Sequence, residues 1–551
     1  MTKIKTKIRN WLILLVFLMT ISWTLSAEYY SYLDFSGGLN DKYSNVLIAD
    51  NQAAAMRNID LSTSRGSMQK RHGFTIVCPS MITTPTGYEV NGLFDYQKGD
   101  GSSYIIACSS NTITKLSAGD TSWTTICSTS SIVSGDYYDF CIVNNTADDT
   151  DSLIITDGIS IPKKYNGGAV TENIGTGTDP NDRRPNYAQY CEKYANRLVF
   201  GGKMQEADGG VAGAITYNRI RLSGYYGYPN IIEGAYAWPA DWTYTISDEK
   251  ITGMKTFNGA LVVFGLDSIN ELRGEYYGSS NSLVMRQVKK GTGCISDRTI
   301  QQVDNELYFL DRSGNIYSYD GSGVDLKSDN IATTIAGLNK AYLTKACAVY
   351  YPKLHQYRIE VANGTSTTNN LELVYDTLLQ AWMPNSGINS SAIALVERSN
   401  SLYLYSGDAS GGYVYRLDNG DIDYPLGVAT GIDAYYTTKY FSVPLAEQEK
   451  IFDSIYLNIE QSGAYNLTVT SKMDFEKTQN TQLVDLNPGG ALWDSAVWDA
   501  DTWAGDSTIL IKKLSISKAA NFMSLTFSNS NYSQPFKIYG FGLRVNTIEL
   551  R

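Results

Sequence analysis

Residues 305 to 321 read NELYFLDRSGNIYSYDG. An apolar and aromatic run, Leu307 to Leu310, meets a polar turn around Gly314, and Ile316, Tyr317 and Tyr319 follow before a closing Asp-Gly. Strand formers on both sides of a Gly-containing turn predict a β-hairpin. The same pattern recurs along the chain: SSYIIACSSNTITKLSAG from 102, DSLIITDGISIPKKYNGG from 151, NRLVFGG from 196, GALVVFGLDSINELRG from 259, HQYRIEVANGTSTTNNLELVYD from 355 and NSLYLYSGDASGGYVYRLDNG from 400. With the 305 copy, the starts are separated by 49, 45, 63, 46, 50 and 45 residues. A unit of roughly 45 to 50 residues built from short antiparallel strands is the period of a propeller blade. One blade cannot bury both of its apolar faces, whereas radial packing lets each cover its neighbours. Residues 90–425 therefore read as a six- or seven-bladed β-propeller, the long interval holding an inserted loop or an irregular blade. No GH or WD signature marks a WD40 array.

Composition agrees with an all-β class. The chain of 551 residues carries 41 Tyr and 48 Gly and is only 18% charged, and Tyr favours pleated surfaces while Gly punctuates turns. After a turn-rich hinge at LDNGDIDYPLG, from 417, longer alternating strands over 426–551 predict a C-terminal β-sandwich. Within it, ALWDSAVWDADTWAGD places Trp493, Trp498 and Trp503 five apart. That spacing fits neither a helix stripe nor a strand face and predicts an irregular loop: a self-packed plug, an interface anchor or a carbohydrate platform.

The first 27 residues have a separate logic. Lys3, Lys5, Lys7 and Arg9 precede WLILLVFLMTISW and then Leu25-Ser26-Ala27, the layout of a secretory signal peptide cut after Ala27. Cleavage lowers Lys plus Arg from 45 to 41 against 56 Asp plus Glu, a net charge of −15 instead of −11. Such a surface repels nucleic acid at long range. Residues 28–89 read as an extended N-terminal clasp, in which Gly37-Gly38 turns the chain, DNQAAAMRNI makes one or two helical turns capped by Asp50, and Arg65, Lys70 and Arg71 form a basic patch facing an acidic neighbour.

Motifs for chemistry are sparse. Two histidines, His72 and His355, make no metal or triad pattern, and a single SAGDTSWTT lacks the spacing of a sialidase turn. Seven cysteines show no CxxC pair and read as small buried hydrophobes, with one or two bridges open if the chain is exported. The carboxylate turns ADDTDS from 147 and DNGDID from 418 are candidate Ca²⁺ loops that do not match EF-hand spacing. No cofactor and no catalytic residue is expected.

Three regions in order, FSGGLN with ADNQAAAMRNIDL and GSMQKRHGF, then KITGMKTFNGALVVFGLDSINELRG through SGDASGGYVYRLDNG, then TTKYFSVPLAEQEKIFDSIYLNIE through PFKIYGFGLRV, resemble the nozzle, tail-tubular or stabilisation-type structural proteins of short-tailed phages. The resemblance spans nearly the whole mature chain, in turn glycines and aromatic strands. It implies a non-enzymatic virion tail component: a ring, commonly of six copies, below portal and adaptor proteins, around a channel that DNA traverses without specific binding. The signal-like segment departs from that pattern and fits a second reading, a secreted β-propeller that binds a surface partner or host glycan. A third, a propeller glycosidase, requires an acid pair across the central channel.

Overall fold

The computed structural model describes residues 24–82, 88–128, 136–145, 150–174, 184–208, 211–224, 238, 242–246, 248–274, 276–277, 280–487 and 509–549. The signal-like run, the 147–149 part of the first carboxylate turn, and Trp493, Trp498 and Trp503 lie outside them. The fold is all-β: antiparallel strands dominate, and the one α-helix among the described residues is Ala332–Ala336. The chain divides into two units, residues 1–71 with 433–551, and residues 72–432.

The 72–432 unit is a succession of antiparallel meanders. Val90–Gln97 opens the first sheet, Asp139–Asn145 the second, Tyr187–Tyr194 the third, Ile251–Phe257 the fourth and Gln301–Val303 the fifth. A seven-stranded sheet follows, from Cys347–Tyr351 to Val414–Arg416, with Thr75–Ile76 as its last strand. Within it Ala381–Arg398 serves two partners: Ala381 to Ser390 pair with Asn369–Asp376, and Ser390 to Arg398 with Ser401–Asp408. The opening strands neighbour one another in sequence, and Ala381–Arg398 returns to pack beside Val90–Gln97.

The repeated hairpins start at the second strand of each sheet, and the 400 copy forms the fifth and sixth strands of the seven-stranded one. Their first arms are Ser103–Ser109, Thr150–Thr156, Arg197–Asp208, Ala260–Gly265, Glu306–Leu310, Gln356–Val361 and Ser401–Asp408. In the 305 copy, Leu307 faces Tyr319 and Leu310 faces Ile316. Asp311 closes the turn by accepting the N–H groups of Ser313 at 2.8 Å and Asn315 at 2.7 Å, with Gly314 at φ 88°. These central strands are buried on both faces: Ala260–Gly265 is buried throughout and packs between Val199, Ile220 and Leu222 on one side and Leu307 and Phe309 on the other.

Chain closure occurs at the other end of the unit. Thr75–Ile76 pairs with Tyr415 and Arg416, and Gly73 exchanges backbone hydrogen bonds with Asn419 and Gly420. A Cβ on Gly73 would lie 2.0 Å from the Ile422 carbonyl oxygen, so the approach requires glycine. The compact unit spans 72–432, whereas the sequence reading set limits of 90 and 425.

The other unit is a two-sheet sandwich. One sheet orders Ile59–Asp60, Met68–Lys70, Lys537–Glu549, Lys450–Glu460 and Ile509–Ala520, with Thr24–Tyr32 also paired to Lys537–Glu549. The second orders Ala53–Arg57, Ala434–Thr438, Met523–Asn529, Asn466–Met473 and Thr478–Asp485. Between them pack Phe35, Phe441, Phe527 and Phe541, with Phe441 and Phe527 each within 6 Å of Phe541. Within or overlapping the segment expected as a clasp, 28–89, Thr24–Tyr32, Ala53–Arg57, Ile59–Asp60 and Met68–Lys70 are strands of this sandwich, while Thr75–Ile76 is a strand of the 72–432 unit. The expected helix at DNQAAAMRNI is the strand Ala53–Arg57, because pairing with Ala434–Thr438 and burial of Ala53, Ala54 and Met56 outweigh the helix preference of alanine.

Candidate functional site

The opening strands of the 72–432 unit lie at sheet edges, so backbone N–H groups on their free side have no ladder partner. Acidic side chains supply it. Asp139 accepts the Cys191 N–H at 2.8 Å, Glu192 that of Thr256 at 3.3 Å, Asp297 that of Met254 at 2.8 Å, and Asp95 that of Glu397 at 2.9 Å. Each bond joins two adjacent sheets. Arg398 adds a 3.1 Å ion pair to Asp95, and Thr256 donates its hydroxyl to the Lys193 carbonyl at 2.6 Å.

Three of these acids converge with Lys255. Its ammonium lies 3.4 Å from Glu192, deep in the unit, yet 41% of its side chain remains open to the cavity it lines. Glu192, with Asp297 and Asp139 beyond it, raises the lysine above its usual range against the cost of burial. Burial pushes the Asp139 carboxyl up to about 6, against the pull of the Cys191 and Phe140 N–H groups and Lys255. Burial, then the charge of Asp139, pushes Asp297 well above the carboxylate range. Burial thus favours the uncharged forms of Asp139 and Asp297, against the pull of Lys255.

Arg298 completes the set. Its guanidinium stacks on Tyr137 at 3.3 Å and donates to the carbonyl oxygens of Ser391 and Lys345. Tyr138, Asp139, Asp297 and Arg298 line two cavities at once, of about 470 and 560 Å³. They are a septum between two cups, the smaller lined by residues from all five meanders and the seven-stranded sheet. Both volumes are in the small-ligand range.

The residues singled out in the sequence lie elsewhere. Arg65 is exposed, whereas Lys70 and Arg71 are buried within the sandwich unit. The Lys70 ammonium donates to Asn529 Oδ1 at 3.0 Å and to the carbonyls of Asn531 at 2.7 Å and Gln534 at 3.4 Å, and Arg71 Nε donates to Asn58 Oδ1 at 2.9 Å. The three do not make one exposed basic patch: two are internal pins, held there because a buried cation needs acceptors. In the 418 turn, Asp418 takes a two-pronged bond from Arg358, at 3.1 and 2.6 Å, and Asp421 lies 3.6 Å from His72. Among the described residues no group of three or more potential metal ligands is gathered. All seven cysteines are free, six of them buried.

Sequence reading passed over Asp139, Glu192, Lys255, Asp297 and Arg298. The signal was a charged residue inside an otherwise apolar strand just before a repeated hairpin, as in YYDFCIV, YCEKY and GMKTF.

Neither a family model nor a curated protein matches the chain. Among solved structures, it is similar to the AfRom2 CNH domain, with a TM-score of 0.36 and 9% identity over 63% of this chain and 99% of that one. The computationally designed Ika8 protein aligns with a TM-score of 0.34 and 12% identity over 61% of this chain and 98% of that one.

Proposed function

We propose that the chain is a non-enzymatic structural component of the tail of a short-tailed phage, a nozzle or hub protein that assembles with copies of itself and with portal-adaptor neighbours around the genome-ejection channel. In this reading the 72–432 unit is a seven-bladed β-propeller, the last blade completed by Thr75–Ile76, and the sandwich is its companion.

The observation that carries the proposal is how the residues bearing the amino-terminal resemblance are used. Phe35, Leu39, Asn40, Met56, Asn58, Met68, Lys70 and Arg71 are all buried in the sandwich unit. Gly37 donates its N–H to the Asn51 carbonyl, Asn40 pairs with Ala53 and Gln52, and Arg71 with Asn58. A motif whose side chains hold a shape rather than line a reaction centre suits a protein whose function is its shape. The two cups and their septum are too small to conduct a duplex. DNA would pass through the space enclosed by several copies, where an acidic, polar wall avoids the tight binding that would stall it.

The test is protein mass spectrometry of purified phage particles from the strain that encodes the chain. The proposal expects this chain at a fixed copy number, six per particle, lacking residues 1–27 if the leader is cut. Its absence from particles, with recovery from the culture medium, would instead favour the secreted glycan-binding reading.

A further inference from the structure

The smaller cup has a hydrogen-bonding surplus that the fold itself does not use. Among the described residues Lys255 has one hydrogen-bond partner, Glu192, for three N–H donors, and 41% of its side chain is open. Asp297 uses Oδ1 on the Met254 N–H, while Oδ2 has no protein partner among the described residues. The Gln301 carboxamide, on the strand that follows, also lines the cup without a protein partner among the described residues. An ammonium, a carboxyl oxygen and a carboxamide offer donors and acceptors together. Asp95, Asp139, Glu192 and Asp297 share the lining with Lys255 and Arg298, so charges of both signs meet in it. Above them the wall turns apolar, with Phe94 and Phe140 stacked at 5.3 Å and Ile393 and Leu395 nearby.

We infer that this cup is a binding site for a small, neutral, polyhydroxylated ligand, of monosaccharide size. Hydroxyl groups both donate and accept, as the polar base requires, the C–H faces of a sugar ring suit the apolar wall, and a volume of about 470 Å³ holds one such ring with water. An anion would meet repulsion from Asp95, Asp139, Glu192 and Asp297 and a cation from Lys255 and Arg298, whereas a neutral ligand is repelled by neither set. This inference does not rest on the tail reading.

The experiment is calorimetric titration of the full chain with D-glucose, D-galactose and N-acetyl-D-glucosamine in turn, with sodium acetate and methylammonium chloride as charged controls. At least one sugar is expected to bind in the millimolar range and neither control to bind. Lys255→Met and Gln301→Leu, each checked for an unchanged fold by circular dichroism, should each weaken that sugar by about tenfold, the loss of one good hydrogen bond. Failure of all three sugars, preference for a charged control, or sugar binding untouched by the correctly folded Gln301→Leu variant would each overturn the assignment.

Discussion

The two units reach all-β structure by opposite routes. In residues 72–432 most strand pairs join neighbours along the chain, and the closing Thr75–Ile76 contact with Tyr415 and Arg416 is the long-range exception. In the sandwich the long range is the rule: Thr24–Tyr32 pairs with Lys537–Glu549, and Ala53–Arg57 with Ala434–Thr438. The lesson concerns polar interiors. A repeating meander leaves the opening strand of each sheet as a free edge, and acids such as Asp139 and Asp297 cap N–H groups there. The sandwich buries its cations singly, as with Lys70 on three neutral oxygens.

The largest effect that can break this comparison is expected in the repeat unit. Trp382 is 1% exposed, donates its indole N–H to the Lys327 carbonyl at 2.9 Å and packs on Tyr375. Trp382→Ala should cost about 3 to 5 kcal/mol in denaturant unfolding, with hydrogen exchange accelerated in residues 72–432 and little changed in the sandwich. Next, Lys70→Met leaves three acceptors without their donor. A loss of about 2 to 3 kcal/mol is expected, and exchange should now quicken in strands such as Lys537–Glu549. If either substitution loosens both units equally, the division is not energetic.

A smaller effect separates them by pH. Asp139 rises from 3.8 to about 6 in the folded protein, so the folded state binds its proton more tightly than the unfolded chain does. That contribution to stability is fully present below about 4 and is lost as pH rises through about 6. Acidification across this window should therefore offset part of the general acid destabilisation of the repeat unit. Asp139→Asn should raise its stability at neutral pH and flatten this part of the profile, measured by thermal unfolding at a series of pH values. The smallest effect belongs to the sandwich surface. Lys472 and Glu476 pair at 2.7 Å with the glutamate 54% exposed, and Lys472→Ala should change stability by about 0.5 kcal/mol or less.

What the sequence made legible follows the same division. The seven repeat starts could be read because each is a local apolar strand running into a polar turn, with a second strand returning in all but the 196 copy, and the structure has a strand at every one of them. The sandwich was legible as alternating strands after 426, but Ala53–Arg57 was read as helical because its partner lies almost 400 residues away. Lys70 and Arg71 looked like surface charge for a similar reason: Asn529 and Asn531 are remote in sequence. The acids at the septum were hidden because each is an isolated residue in its strand, and only the circuit of opening strands brings them together.

The most direct test of the central claim, assembly into a tail ring, is the solution mass of purified residues 28–551 by light scattering, combined with negative-stain imaging of the same sample. The account predicts a discrete ring, commonly of six copies, with an axial hole. A chain that stays monomeric at every concentration and is retained on a polysaccharide column would contradict it.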